Sequence, residues 1–243
     1  NLDFLSGLSP ANKDELLTRS GRLNPKYKGE IQLYTQPYLN TEYLGFLTDS
    51  TMKRVTNSPV SDRLVRKAIN YGFDRKKMMK YLRNNIGTPA NNGFLPKGLP
   101  AFSADSVKGY TYDPDKARDL LKKAGYPNGE GLEEITLTTT DDYRDLCEFI
   151  QHQLSEIGIE IEIEISTGAT FRDMVAHSRL LFFRGSWIAD YPDAENYLAL
   201  FYSKNFSPGG PNYTHFSNAQ YDRLYEKALN TMDHNKRIQY YRQ

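Results

Sequence analysis

The most regular pattern of apolar and polar residues lies in the middle of the chain. Residues 159–165 alternate strictly between isoleucine and glutamate, which predicts a strand with one face buried and the other in water. Residues 134–140 also alternate, and between the two strands residues 143–157 place their apolar side chains at helical spacing. Strand, helix and strand in this order predict a βαβ unit, whose two strands pair in parallel.

The other predicted elements follow the same two periodicities. The apolar run at residues 180–183 predicts a buried strand, and β-branched and aromatic residues predict strands at 30–36 and 41–47. The glycine- and proline-rich stretch 86–112 has apolar residues of its own, which predicts an ordered loop. Helices are predicted at residues 9–18, 62–69, 75–83, 113–123, 169–177, 193–202, 218–230 and 234–242. Interspersed strands and helices indicate an α/β fold.

Composition and charge change this picture little. Lys plus Arg number 31 and Asp plus Glu number 30, so the net charge of +1 indicates neither nucleic acid nor an anionic membrane as a partner. No apolar run reaches transmembrane length. The chain begins at Asn1 without an initiator Met or a signal peptide, which is typical of a mature protein or of a piece of a longer one.

Cysteine and histidine give no indication of a metal. Cys147 is the only cysteine, which excludes an internal disulfide and a cysteine-rich zinc site. Its place in an amphipathic helix predicts a buried, structural thiol. The histidines at 152, 177, 215 and 234 lack metal-ligand spacing. We therefore expect neither a metal nor a cofactor.

The sequence Trp-Ile-Ala-Asp-Tyr-Pro-Asp at residues 187–193 is the strongest candidate for ligand chemistry. It follows the apolar run at 180–183, so the strand delivers the only tryptophan and two carboxylates to the edge of the sheet. A carboxylate beside a tryptophan is well placed to meet a cation on a ligand. Asp190 is that candidate, with Trp187 and Tyr191 beside it, whereas Asp193 is predicted to cap the helix that follows.

One further candidate residue has two interpretations. Tyr213 belongs to the polar and aromatic stretch 212–218, which is either a ligand-facing loop or an ordinary entry to the helix at 218.

Six motifs follow one another along the chain. They are Tyr-Leu-Gly-Phe at 43–46, Val-Arg-Lys-Ala-Ile at 65–69, Tyr-Asp-Pro-Asp-Lys-Ala at 112–117, the passage 154–161, the tryptophan motif at 187–193 and residues 218–222. Taken together, they resemble the peptide/nickel class of extracytoplasmic solute-binding proteins of ABC importers, the dipeptide- and oligopeptide-binding family. The resemblance extends over nearly the whole chain.

Arg184, six residues before Asp190, resembles a basic residue that some oligopeptide-binding proteins place near the ligand. A structural ion pair with Asp193 is the other interpretation of this residue.

The resemblance implies a fold and an architecture. It implies a lobe of the periplasmic-binding-protein type, with a mixed, largely parallel sheet and helices on both faces. Residues 1–243 would form one α/β lobe, which the family inserts into the sequence of a second lobe that is absent here. The ligand would be held between the two lobes by a hinge motion.

The resemblance also implies a function. The full-length protein would capture a peptide or a related small solute for an ABC-transporter membrane permease, without catalysis and without nucleic acid. It would lie in the periplasm or at the cell surface, attached to the membrane only by tethering, such as a lipid anchor. In peptide-binding members the aspartate of the tryptophan motif pairs with the ligand's α-ammonium group, and Asp190 occupies that position.

Two functions from other classes remain open on the sequence alone. One is a carboxylate-dependent hydrolase that uses Asp190 with His215, although no nucleophile or metal motif accompanies them. The other is an interaction domain that binds no small ligand.

Overall fold

The computed structural model describes residues 3–5, 10–36 and 38–243. The chain divides into two compact units, one of Asn1–Pro37 with Arg75–Pro89 and the other of Tyr38–Asp74 with Ala90–Gln243. Within the described ranges, no helix has both the length and the apolar character needed to cross a bilayer. That residues 1–243 constitute one lobe of a two-lobed protein remains a prediction.

A four-stranded sheet forms the centre of the larger unit. Its strands are β1 (Asn40–Phe46), β2 (Ile135–Thr139), β3 (Ile161–Ile165) and β4 (Phe182–Ile188), in the spatial order β1-β4-β2-β3. Strand β2 is parallel to β3 and to β4, whereas β1 is antiparallel to β4. The predicted mixed, largely parallel sheet and its βαβ unit are therefore confirmed.

Most α-helices begin and end close to the predicted residues, and capping side chains fix several of their first turns. Two of the described helices are exceptions: the helix Lys53–Thr56 was not predicted, and the helix predicted at 193–202 is α-helical only over Glu195–Leu198 and continues as a 3-10 turn over Ala199–Phe201. Asp113 Oδ1, for example, accepts the Lys116 N–H at 3.0 Å, and Asp62 Oδ1 accepts that of Leu64 at 2.6 Å. In the described part of the chain the helices are α1 (Pro10–Leu16), α2 (Lys53–Thr56), α3 (Arg63–Gly72), α4 (Arg75–Leu82), α5 (Pro114–Lys123), α6 (Arg144–Ser155), α7 (Gly168–Ala176), α8 (Glu195–Leu198), α9 (Ala219–Leu229) and α10 (His234–Tyr241).

Helices pack on both faces of the sheet. Thr138 is paired with Phe183, so these two side chains share one face, and Phe171 of α7 packs edge-on against Phe183 there. The neighbouring Thr139 points to the opposite face, where it contacts Cys147 of α6. The helices on both faces are thus confirmed.

Cys147 is completely buried, as predicted for a structural thiol. Burial raises the pKa of this thiol to about 11, so it carries no thiolate at neutral pH. The predicted ordered loop at 86–112 is also confirmed, because Leu99 and Ala101 within it are buried.

The predicted strand at residues 30–36 is wrong. Those residues have no ladder partner in the described chain beyond a single bridge between Lys28 and Ile31, and they are irregular and exposed. Leu33 is 39% exposed and Tyr34 is 81% exposed. The composition favours a strand, but a strand forms only where a second strand supplies its hydrogen bonds.

The smaller unit holds together around Leu17 and Asn84, which are both buried. Lys13 Nζ donates to the Leu82 carbonyl at 2.6 Å, and thus joins α1 to the last residue of α4. The predicted beginning of α1, at Ser9, lies outside the described residues.

Candidate functional site

Strand β4 is buried at its beginning and exposed at its end. Phe182 and Phe183 are fully buried, whereas Ile188 is 51% exposed. The Ala189 N–H still donates to the Leu39 carbonyl at 2.9 Å, so the backbone pairing continues one residue beyond the strand. The chain then leaves the sheet at Asp190, which is exposed. The position predicted for this carboxylate, at a sheet edge, is therefore found.

A single buried amide holds the tryptophan motif in place. Asn196 in α8 is only 6% exposed. Its Oδ1 accepts the indole N–H of Trp187 at 2.8 Å and the backbone N–H of Asp190 at 3.3 Å. Its Nδ2 donates to Asp190 Oδ2 at 3.1 Å. Asn196 therefore fixes both the ring of Trp187 and the carboxylate of Asp190.

Asp193 anchors the helix that carries Asn196. Its Oδ1 accepts the backbone N–H of Glu195, the first residue of α8, at 3.0 Å. The helix begins one residue later than a cap at Asp193 requires, so Ala194 is the N-cap residue and Asp193 satisfies an amide of the first turn from the position before it. Asp193 Oδ2 pairs with Arg237 Nη2 of α10 at 3.0 Å. The loop between β4 and α8 is thus tied to a helix more than forty residues later in the chain.

Tyr191 is 48% exposed beside Asp190. Its hydroxyl donates to Glu195 Oε2, and Tyr225 donates to the other oxygen of the same carboxylate at 2.5 Å. The structure therefore brings Trp187, Asp190 and Tyr191 together around the first turn of α8.

Arg184 lies on the opposite face of the sheet from Trp187, because the two are three residues apart on one strand. It forms an ion pair with Glu42 of β1, and its guanidinium lies 3.1 Å from the ring centroid of Tyr143. The predicted pair with Asp193 is wrong, since Arg237 occupies that carboxylate. The pairing of β1 with β4 brings Glu42 to Arg184. The two residues are far apart in the sequence, so a local pattern does not predict their contact.

Burial lowers the pKa of Arg184 to about 9. Its guanidinium remains charged at neutral pH, and Arg184 Nε has no hydrogen-bond partner among the described residues. An unfilled donor on a buried cation is a place where an acceptor on a ligand would be favoured.

Tyr213 packs against the apolar cluster of Val175, Leu180 and Phe183, together with Tyr43. Burial and the neighbouring Tyr213 raise the pKa of Tyr43 above its ordinary range. The structure thus places Tyr213 beside α7 and the buried part of β4, whereas Trp187 and Asp190 lie at the other end of that strand.

His215 belongs to a separate, closed network. Its Nδ1 lies 3.0 Å from Asp49 Oδ2, and its Nε2 lies 2.9 Å from Ser178 Oγ and 3.2 Å from Ser207 Oγ. Ser178 and Ser207 are both 4% exposed, and Phe206 stacks on the imidazole at 4.5 Å.

The pair of Asp190 and His215 on which a hydrolase would depend is therefore not formed, because His215 is engaged by Asp49. The aspartate, histidine and serine contacts resemble a nucleophile arrangement. However, the serine hydroxyls are closed off from solvent and hydrogen-bonded to each other at 2.8 Å. These hydrogen bonds connect the loops that contain Asp49, Ser178 and His215, and the buried hydroxyls are not accessible to a substrate. Among the described residues, no three His, Cys, Asp or Glu side chains are grouped so that they could hold a metal ion.

Two of these features were missed by sequence reasoning. The signal for Asn196 was present, since it stands three residues after the capping Asp193 in a short helix. Nothing in the sequence linked His215 to Asp49, which is 166 residues away.

Comparison with known proteins gives the same family throughout. The family model described as "Bacterial extracellular solute-binding proteins, family 5 Middle" matches residues 1–209. The Dipeptide-binding protein of Escherichia coli K12 is 28% identical over 222 residues, which are 90% of this chain and 40% of that protein. Glutathione-binding protein GsiB of Shigella flexneri is 30% identical over 218 residues, which are 87% of this chain and 41% of that protein.

Solved structures agree on the fold. The periplasmic binding protein DppA from Helicobacter pylori, in complex with the peptide STSA, superposes with a TM-score of 0.79 at 24% identity and covers 97% of this chain and 42% of that one. The murein tripeptide-binding protein MppA of Escherichia coli gives a TM-score of 0.74 at 23% identity, over 89% of this chain and 42% of that chain.

The chain spans about two fifths of the length of the relatives that it matches. Its α/β fold is that of the periplasmic binding proteins, with the tryptophan motif at the exposed end of β4. The family model accounts for most of the residues, and the chain belongs to family 5 of the bacterial extracellular solute-binding proteins.

Proposed function

We propose that the protein to which this chain belongs is the substrate-binding component of an ABC importer, and that it captures a peptide through the peptide's α-ammonium group. The observation that carries this proposal is the geometry of Asp190. Its carboxylate is exposed, one oxygen is oriented by the buried amide of Asn196, and no described residue donates a hydrogen bond to Oδ1.

A carboxylate held in this way favours an ammonium group over a neutral ligand. Burial of an ammonium without a partner charge costs several kcal/mol, because its hydration is lost. An aspartate that is already oriented meets this charge without a further loss of side-chain freedom. Trp187, fixed by the same amide, supplies a flat apolar wall beside it.

Arg184 is proposed as a second, cationic contact to the ligand. Its buried guanidinium and its unfilled Nε donor support this role. Because Arg184 and Trp187 point to opposite faces of β4, an inner strand, the two side chains would meet different parts of a ligand. We therefore assign recognition of the ammonium to Asp190 alone.

The remaining parts of the proposal concern the full-length protein. We propose that a second lobe closes over the ligand, that an ABC-transporter membrane permease receives it, and that the protein acts outside the cytoplasm, with a lipid anchor where one is attached. Two of the relatives are named for binding a dipeptide and glutathione, which supports a peptide-like ligand.

The proposal is tested by calorimetry on the full-length protein, with one peptide in two forms, free and acetylated at its amino group. Loss of one partner of a buried charge pair costs about 3–5 kcal/mol. Asp190→Asn is therefore expected to lower the affinity for the free peptide by about two to three and a half decades. The acetylated peptide is expected to bind the native protein weakly and to lose nothing further in the variant.

Asp115→Asn is the matched control, because that side chain is 93% exposed and lies on α5. It is expected to leave both affinities unchanged. Equal affinity for the two peptides, or an unchanged affinity in Asp190→Asn, would remove Asp190 from ammonium recognition.

A further inference from the structure

Charge is divided unequally between the two compact units. The smaller unit, residues 1–37 with 75–89, has ten Lys and Arg residues against four Asp and Glu, a net charge of +6. The whole chain has 31 Lys and Arg residues and 30 Asp and Glu residues. The larger unit therefore has 21 basic against 26 acidic residues, a net charge of −5. The near-zero charge of the chain therefore conceals a strongly basic part.

The positive charge is concentrated on α4. This helix, with the sequence Arg-Lys-Lys-Met-Met-Lys-Tyr-Leu, contains no acidic residue. Three cations occupy its first turn, where the helix macrodipole disfavours positive charge. Lys76 and Lys80 repel each other at the spacing i, i+4. Lys76, Lys77 and Lys80 are all exposed. An external anionic surface would therefore be attracted to these three exposed lysines.

Apolar side chains lie among these cations. Tyr81 is 49% exposed, and its ring centroid is 5.4 Å from Lys80 Nζ and 5.6 Å from the guanidinium carbon of Arg19. Asn85 Nδ2 donates to the Arg19 carbonyl at 2.7 Å, which ties the two segments together. Ile86, the next residue, is 50% exposed.

We propose that this basic face, formed by Arg19, Lys76, Lys77, Lys80, Tyr81 and Ile86, binds the surface of an anionic lipid bilayer. The lysines and the arginine meet acidic headgroups, while Tyr81 and Ile86 enter the boundary between headgroups and acyl chains. Cations beside an exposed aromatic ring and an exposed aliphatic chain are the composition of an interfacial protein surface.

Nucleic acid fits the same face less well. Tyr81 is flanked by Arg19 and Lys80, so its ring is not an open platform for a base to stack on. Ile86 has no role against a phosphate backbone. Binding to a bilayer uses both the charges and the apolar side chains, and it needs no peptide ligand.

Sedimentation of the full chain with vesicles tests the proposal. Vesicles of phosphatidylcholine with phosphatidylglycerol are expected to bind the chain at low salt, and vesicles of phosphatidylcholine alone are not. Each cation near an anionic surface contributes about fivefold in partitioning, so the triple change Lys76→Gln, Lys77→Gln and Lys80→Gln is expected to reduce binding about a hundredfold. Glutamine is a good helix former, so α4 is expected to remain folded.

The matched control replaces Lys97, Lys122 and Lys123, three exposed lysines of the larger unit, by glutamine. It is expected to leave vesicle binding within about twofold of the native chain. Tyr81→Ser with Ile86→Ser is expected to weaken binding to anionic vesicles about tenfold without changing its salt dependence.

Three results would overturn the proposal. These are no binding to anionic vesicles at low salt, an equal loss in the control triple variant, or binding to a single-stranded oligonucleotide that exceeds vesicle binding and ignores Tyr81→Ser with Ile86→Ser. The last result would identify the face as a general polyanion site.

Discussion

Asp190 and Asp49 each bond one buried polar side chain, Asn196 and His215 respectively. They differ in how many of their carboxylate oxygens remain without a hydrogen bond inside the described part of the protein. Asp49 has both oxygens in use: Oδ1 accepts from the Thr51 backbone at 3.0 Å and from its hydroxyl at 2.6 Å, and Oδ2 meets His215. Asp190 receives one bond from the side chain of Asn196 and is otherwise open to solvent.

The difference separates a structural carboxylate from the one proposed to bind a ligand. Both oxygens of Asp49 are hydrogen-bonded within the fold and connect distant loops, so they are not available to a ligand. Asp190 is oriented by Asn196 but keeps one oxygen without a donor among the described residues, which is the arrangement that we propose for a cation-binding group. We therefore base the proposed difference in role on the number of hydrogen bonds that each carboxylate receives within the fold.

The structural role of Asp49 is tested most strongly by removing its partner His215. His215→Ala removes contacts to Asp49, Ser178 and Ser207 and leaves a cavity beneath Phe206, so we expect a loss of about 3–4 kcal/mol in the free energy of unfolding. Denaturant unfolding of the full chain measures it. His152→Ala is the control, because that side chain is 75% exposed and its removal is expected to cost less than about 0.5 kcal/mol. Equal losses would show that the network is not structural.

Asn196→Ala tests whether the orientation of Asp190 matters as well as its charge, because it removes the orienting amide and keeps the carboxylate. It leaves the Trp187 N–H without its partner and frees Asp190, so we expect a loss of about 1–2 kcal/mol in stability and of about tenfold in peptide affinity of the full-length protein. The fluorescence of Trp187 is expected to shift to longer wavelength as the indole gains water. An unchanged spectrum with unchanged affinity would mean that Asn196 does not position the motif.

The stability that Asp49 contributes is expected to depend on pH. Hydrogen bonds from the Thr51 side chain, and then from His215, lower the pKa of Asp49 below its ordinary range. A lowered pKa contributes stability that is present above the ordinary value of about 4 and is lost as the pH falls through the folded value. We expect Asp49→Asn to cost about 1–2 kcal/mol at neutral pH and nothing in strong acid. Unfolding curves between neutral and acidic pH measure this, and a cost that does not change with pH would contradict it.

The smallest expected effect concerns the support of α8 by α10. Arg237→Gln removes the ion pair with Asp193, whose side chain is 28% exposed, so we expect a loss of no more than about 1 kcal/mol in stability. Peptide affinity of the full-length protein is expected to fall less than threefold, since Asp193 keeps its bond to the Glu195 N–H. A larger fall in calorimetry would show that α10 controls the position of Asp190.

Local pattern was sufficient for much of the fold. Strand β3 and helix α6 were predictable because each buries one face, which imposes its own period on the sequence. Strand β2 was predictable from the alternation of Ile135 and Leu137, although it is buried on both faces from Leu137 to Thr139. The same reasoning failed at residues 30–36, where the composition favours a strand but the described chain supplies no ladder to pair with. Composition shows that a segment is able to form a strand, whereas hydrogen bonding to a neighbouring strand determines whether it does so.

The site was predictable only in part for the same reason. Asp190 and Trp187 were identified from a local motif, because both are delivered by the end of one strand. The partner of Arg184 could not be predicted, since Glu42 reaches it through the pairing of β1 with β4. The His215 network likewise joins side chains that only the tertiary fold brings together.

One pair of substitutions tests the central claim, that Asp190 is the binding carboxylate and Asp49 the structural one. Asp190→Asn and Asp49→Asn are each measured for denaturant stability and for affinity toward a peptide with a free amino group, in the full-length protein. We expect Asp190→Asn to keep its stability within about 0.5 kcal/mol and to lose about two to three and a half decades of affinity. Asp49→Asn is expected to lose about 1–2 kcal/mol of stability and to keep its affinity once folded. The reverse pattern, with affinity lost at Asp49 and stability lost at Asp190, would contradict the account.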